Sequence, residues 1–137
     1  MKKLGFGLMR LPLLNPEDES SIDIETVKKM ADAFLAAGFT YFDTAACYHD
    51  GHSETAFREA VARRYPREAY TITDKLTMFM VDSEEDFPGF FAGQLERLGV
   101  PVSAVSQGLG DCPAIRRLFV AHALEAAENE FFTQREK

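Results

Sequence analysis

Phe39-Thr-Tyr-Phe-Asp-Thr-Ala-Ala-Cys-Tyr48 decides how this chain is read. Its first seven residues are aromatic, threonine or alanine apart from one aspartate, a composition that suits a strand. Gly38 precedes it, where a helix ending in a left-handed cap needs glycine. Working backward, Ile24, Val27, Met30, Ala31, Phe34 and Leu35 fall on one helical face, with Asp23 placed to cap them. Asn15–Ser21 is a polar loop, and the apolar Leu4–Pro12 reads as a short buried strand. Working forward, a polar turn runs from Tyr48 to His52. Ser53 is then expected to cap a second helix with Ala56, Phe57, Ala60 and Val61 on one face, ended by Pro66. Ala69–Leu76 is a third strand. A third helix starts around Ser83–Asp86 with Pro88 in its first turn. It is expected to bury Phe87, Phe90, Phe91, Leu95 and Leu98, and Gly99 closes it. Strand and helix alternate three times, which predicts an α/β fold with a parallel sheet.

Composition bounds the function. At 137 residues, 46% hydrophobic and 27% charged, the chain suits one modest globular domain. Its 15 Lys and Arg against 22 Asp and Glu give a net charge of -7, so no basic surplus exists to neutralise phosphates. Neither nucleic acid nor a membrane is expected as a partner. No apolar run approaches the ~20 residues of a membrane span. The start, Met1-Lys-Lys-Leu-Gly5, lacks the long apolar stretch of a secretory leader. Cys47 and Cys112 form no CxxC pair, and a reducing, cytoplasmic setting is the default. No metal site is expected from His49, His52 and His122; His49 and His52 read as part of a solvated loop bordering a cleft.

Three polar residues stand where parallel α/β proteins build their sites, at or just after the C-terminal ends of strands. They are Asp43, Tyr48 and Lys75. An ammonium beside a tyrosine favours the tyrosinate, and a carboxylate keeps that ammonium charged and aimed. Such a tyrosine can protonate a carbonyl oxygen. The plainer reading is a packing tyrosine beside a structural ion pair.

A wider pattern bears on that choice. Gly5-Phe-Gly-Leu-Met-Arg-Leu-Pro12, Gly38-Phe-Thr-Tyr-Phe-Asp-Thr-Ala-Ala-Cys-Tyr48, Ser53-Glu54 and Asp74-Lys75-Leu76 resemble the start of an aldo-keto reductase. They are most similar to the bacterial members that often carry a C-terminal ferredoxin-like extension. The resemblance covers residues 1 to about 100. It implies the first three βα units of a (β/α)8 TIM barrel, and reduction of carbonyls with NADPH. It implies Tyr48 as general acid, Lys75 as the group that tunes it, and Asp43 as the residue that holds Lys75 near the nicotinamide ribose. Gly7, Met9 and Arg10, with Asp43, would lie near the cofactor. The family uses no Rossmann glycine fingerprint, and Gly5-Phe-Gly7 alone is weak evidence for a nucleotide site.

The chain departs from that pattern after Val100. The family places an active-site histidine at the end of its fourth strand; this chain has Ser106-Gln-Gly-Leu-Gly110 in that region. His122 lies further on, in a helical pattern that opens at Cys112-Pro113. A complete barrel needs about 200–250 residues. Residues 1–100 are therefore expected to be a truncated barrel and 101–137 a divergent loop and C-terminal helix. A frameshift, a truncation or a short variant would each produce that arrangement. Two functions follow. One is an NADPH-dependent oxidoreductase acting on a small carbonyl substrate. The alternative is a non-catalytic remnant or an oligomer-forming fragment. A homo-oligomer is expected if the barrel-facing side, taken to include Phe42 and Ile72, needs cover.

Overall fold

A computed structural model describes the backbone of residues 4–101 and 112–128. Three parallel strands, β1 (Gly5–Gly7), β2 (Tyr41–Ala45) and β3 (Thr71–Lys75), form one sheet in the order β1-β2-β3. Helix α1 (Ile24–Ala36) joins β1 to β2. Helix α2 (Ser53–Phe57), continued by a π-helical turn over Arg58–Ala62, joins β2 to β3. Helix α3 (Phe87–Leu98) follows β3. The chain divides into two compact units, Met1–Val102 and Ser103–Lys137. In the second, α4 (Pro113–Glu128) forms where the sequence predicts a helix, with Leu118 and Val120 exposed. Residues 102–111, where the family's histidine would fall, lie outside the described residues, as does the His122 side chain. Among the described residues no helix is long and apolar enough to cross a membrane.

The expected helix boundaries have physical causes. Asp23 accepts from the Thr26 amide at 3.1 Å and the Thr26 hydroxyl at 2.7 Å, capping α1. Gly38, just past its end, sits at φ 81°, and Gly99 ends α3 at φ 67°, both in the left-handed region. Before α3, the Ser83 amide donates to the Asp86 carboxylate at 3.1 Å and the Ser83 side chain accepts from the Asp86 amide, which together make a capping box. Ser53 is not the cap of α2. It is a fully buried first-turn residue whose hydroxyl donates to the Leu8 carbonyl at 3.1 Å and lies 2.8 Å from the Thr44 hydroxyl.

The core lies between the sheet and α1 and α2. Phe42 is 1% exposed, and its ring centroid is 5.5 Å from Phe6, 5.2 Å from Phe34, 5.5 Å from Phe57 and 6.5 Å from Tyr70. Tilted and edge-to-face pairs of this kind add about 0.5–1.5 kcal/mol each to what burial supplies. Phe42 and Ile72 therefore face the helices, not the barrel interior as the sequence reading supposed. The alternation of the strand turns Tyr41, Asp43, Thr73 and Lys75 to the other face. That face is polar and open: Tyr41 is 41% exposed and donates to the Thr73 hydroxyl at 3.0 Å. Helix α3 also departs from expectation. Leu98 and Gln94 are buried, while Phe87, Phe90, Phe91 and Leu95 are only half-buried.

Gln94 belongs to a polar knot that ties α2, β3 and α3 together. Glu54 is fully buried and accepts from Gln94 Nε2 at 3.1 Å and from Arg97 Nε. Gln94 Nε2 also reaches Asp74 Oδ2 at 3.0 Å and the Lys75 carbonyl at 3.1 Å. Burial, then the hydrogen bond to Glu54 and its charge, push Asp74 from 3.8 up to about 8, against the opposing pull of Arg97. At neutral pH Asp74 is therefore protonated. Its Oδ1 is buried without a hydrogen-bond partner among the described residues.

Two outcomes follow for stability. Phe42→Ala empties the centre of the aromatic cluster and is expected to cost about 3–5 kcal/mol, read from urea unfolding. The folded chain holds a proton on Asp74 that the unfolded chain releases above its ordinary value, so this group's contribution is full below pH 3.8 and is lost as pH rises toward about 8. In thermal melts across that window, Asp74→Asn is expected to flatten the decline; an equally steep decline in the variant would contradict it.

Candidate active site

The parallel register brings the three polar residues together. Asp43 pairs with Thr73 and Ala45 with Lys75, so Lys75 is one pleat beyond the residue opposite Asp43, on the same open face. Lys75 Nζ donates to Asp43 Oδ1 at 2.5 Å and to Tyr48 Oη at 3.2 Å, and sits 5.2 Å from the centre of the Tyr48 ring. Partial burial alone would lower the Lys75 ammonium. The hydrogen bonds to Asp43 and Tyr48 outweigh that and raise it above its ordinary 10.5, so it stays charged at neutral pH. The Asp43 and Lys75 side chains are 29% and 48% exposed. An ion pair this exposed stabilises a fold by about 1 kcal/mol at most, so its consequence is chiefly geometric. Because Tyr48 Oη accepts from Lys75, its own hydrogen points elsewhere and is available to a third group.

Tyr48 reaches this place from a tight 3-10 turn, Tyr48–Gly51. His49 and Asp50 both adopt left-handed backbone, at φ 52°, followed by Gly51 at φ 87°. Left-handed backbone costs a non-glycine residue about 1–2 kcal/mol, so something must hold the turn. His49 does so. It is 4% exposed, accepts the Leu11 amide on Nε2 at 2.9 Å, and lies with Nδ1 3.0 Å from the Glu19 carbonyl. Those partners require the proton on Nδ1. The solvated turn expected from the sequence thus carries a buried histidine, while Asp50 and His52 are exposed. The available signal was residue type, since His and Asp tolerate left-handed backbone better than most.

Beside Tyr48 opens a cavity of about 420 Å³ lined by Met9, Arg10, Leu11, Leu13 and Cys47, with Glu19 and His49 at its wall. Of the residues expected near a cofactor, Met9 and Arg10 thus share a cavity with Tyr48. Gly7 does not line it. It pairs with Asp43 in the sheet, and the next amide, Leu8, donates to the Asp43 carbonyl at 2.9 Å. Among the described residues, its two chain neighbours aside, no atom lies within 4 Å of the position a Gly7 Cβ would take. Sequence reasoning did not find Gln94, which touches the Lys75 carbonyl, or the burial of Glu54 and half-burial of Asp74 behind it. Among the described residues no three potential metal ligands cluster.

The model of the aldo/keto reductase family matches residues 3–100. No curated protein matches the chain. Among solved structures, the thermostable aldo-keto reductase Tm1743, crystallised with the inhibitor epalrestat, is similar with a TM-score of 0.51 and 19% sequence identity. The match covers 90% of this chain and 47% of that one, so this chain spans about half that structure's length. At that identity the likeness speaks for the fold alone: the three-stranded parallel sheet and its helices resemble part of an aldo-keto reductase TIM barrel. The family match extends over well more than half of the sequence and takes in Asp43, Tyr48 and Lys75, and by it the chain belongs to the aldo/keto reductase family.

Proposed function

We propose that this chain carries the proton-donating corner of an NADPH-dependent reductase site, one that turns a small carbonyl compound into an alcohol. The observation that carries the reading is the double donation of Lys75 Nζ to Asp43 and Tyr48 Oη. The residues around it fit the nicotinamide end of the cofactor. Asp43 keeps acceptor capacity beyond its bond to Lys75, enough for a sugar hydroxyl. The open space over Gly7 lets a flat ring approach the backbone. Asp43 and Gly7, with Met9 and Arg10 from the cavity rim, would hold that end.

When bound, the cofactor supplies the hydride that converts the carbonyl carbon. Tyr48 gives its proton to the carbonyl oxygen as charge builds there. The tyrosinate left behind is stabilised by the Lys75 ammonium, which Asp43 keeps aimed. The cavity beside Tyr48, with Met9, Leu11 and Leu13 on its walls, receives the apolar part of a small substrate. The free thiols of Cys47 and Cys112 support a cytoplasmic, reducing setting.

One observation favours the second reading, a non-catalytic or self-assembling fragment. Leu76, Met78, Phe79 and Met80 after β3 are 40%, 63%, 83% and 46% exposed, and the open sheet face leaves Lys75 accessible to water. A homo-oligomer would cover both.

Titration with NADPH, followed by nicotinamide fluorescence, tests the first reading. Saturable binding that weakens in Lys75→Met is expected. Tyr48→Phe should retain binding and lose about 10²–10⁴-fold in kcat, the usual scale for removing a general acid. No binding at millimolar NADPH would overturn the proposal. Light scattering tests the second: a dimer or larger species is expected, and a monomer with a cooperative melt would contradict it.

A further inference from the structure

We propose that His49 is a positioning residue that fixes the wall of the Tyr48 cavity. It does so by clamping the segment after β1 onto the turn that presents Tyr48. The proposal rests on the reductase reading for its effect on substrate, and on geometry for the clamp itself. Four observations carry it. His49 is 4% exposed although it lies in a surface turn between Tyr48 and the exposed Asp50. Its two ring nitrogens are both engaged with main chain from one distant segment, Nε2 with the Leu11 amide at 2.9 Å and Nδ1 with the Glu19 carbonyl at 3.0 Å. The Glu19 carboxylate also lies 3.4 Å from Nδ1. Finally, the turn pays for this placement with left-handed backbone at His49 and Asp50.

The clamped segment is the one that lines the cavity. Leu11 and Glu19 are lining residues themselves, and Met9, Arg10 and Leu13 stand between or beside them. The segment has little other regular structure: a single antiparallel bridge, Leu13 to Ile22, closes its far side. A main-chain amide held by a buried ring gives this wall a fixed distance from Tyr48, because ring and phenol are consecutive in sequence. A substrate whose carbonyl must meet Tyr48 Oη is then bounded on its other side by Met9, Leu11 and Leu13. His49 acts through that wall and touches neither the proton nor the hydride, so its loss should appear in substrate binding more than in the chemical step.

The test compares the wild-type chain with His49→Asn. Asparagine tolerates left-handed backbone but is too short to bridge both partners. Nitrogen NMR of the wild-type imidazole is expected to show the proton on Nδ1 and an accepting Nε2. Amide exchange at Leu11 is expected to speed up about tenfold in the variant, the scale of one lost hydrogen bond, while Phe42 and Thr44 in β2 keep their protection. With a small aldehyde and NADPH, KM should rise about tenfold while kcat changes less than about threefold. An Nε2–H tautomer, an unchanged Leu11 amide, or a loosened Leu11 with unchanged KM would each overturn the proposal. If β2 also loses protection, His49→Gln replaces it, since its amide oxygen can take the Leu11 amide in place of Nε2: recovery of both β2 and Leu11 protection is expected, and recovery of β2 with Leu11 still exchanging fast would overturn the clamp. A wild-type chain without turnover whose Leu11 amide nonetheless loosens on substitution would remove the reductase reading and keep the clamp.

Discussion

Phe42 is held among Phe6, Phe34, Phe57 and Tyr70, and the geometry of the site depends on that anchorage. A strand sends consecutive side chains to opposite faces. With Phe42 fixed against the helices, Asp43 has no freedom to face them, and the parallel register with β3 carries Lys75 to the same open face. A slip of one residue in β2 would bury Asp43 and expose Phe42, losing about 2–3 kcal/mol of aromatic burial and stranding a carboxylate in the core. The aromatic cluster thus selects the one register in which the aspartate and the lysine can meet.

Behind that open face the sheet is backed by polar groups as well as apolar ones. Glu54, Asp74, Gln94 and Arg97 form a knot in which a fully buried carboxyl is satisfied by an amide and a guanidinium. Removing a single partner from such a network costs more than its bonds contribute, because the others are left buried and unmatched. Gln94 extends the knot to the Lys75 carbonyl at 3.1 Å. The main chain of Lys75 is therefore held from the helix side while its ammonium is held by Asp43 on the open side. The protonated state of Asp74 keeps two neighbouring carboxyls from repelling each other at neutral pH.

Tyr48 is held differently. It comes from a turn with three consecutive positive φ values, two of them at non-glycine residues. Sheet register does not reach that far, and the strain is met by hydrogen bonds from the buried His49 ring to the segment after β1. Asp43, the main chain of Lys75 and the turn that carries Tyr48 thus rest on three separate supports: strand pairing, a buried polar knot and a single histidine.

Much of this was legible in order along the chain. The alternation of strand and helix, the Asp23 cap, the glycines after α1 and α3 and the candidates Asp43, Tyr48 and Lys75 all follow from residue type and spacing, because caps, periodicity and left-handed positions are local properties. Which face of β2 meets the helices was not legible. Phe42, Thr44, Tyr41 and Asp43 alternate in either case, and only packing against α1 and α2 showed that the aromatic side is the inner one. The burial of His49, Glu54 and Gln94 was equally hidden, since a polar residue becomes buried only when partners distant in sequence arrive to satisfy it. Sequence by itself determined the elements and named the chemical groups. Tertiary structure decided which face each group takes and which partners it meets, because those depend on contacts between residues some twenty to forty-five positions apart.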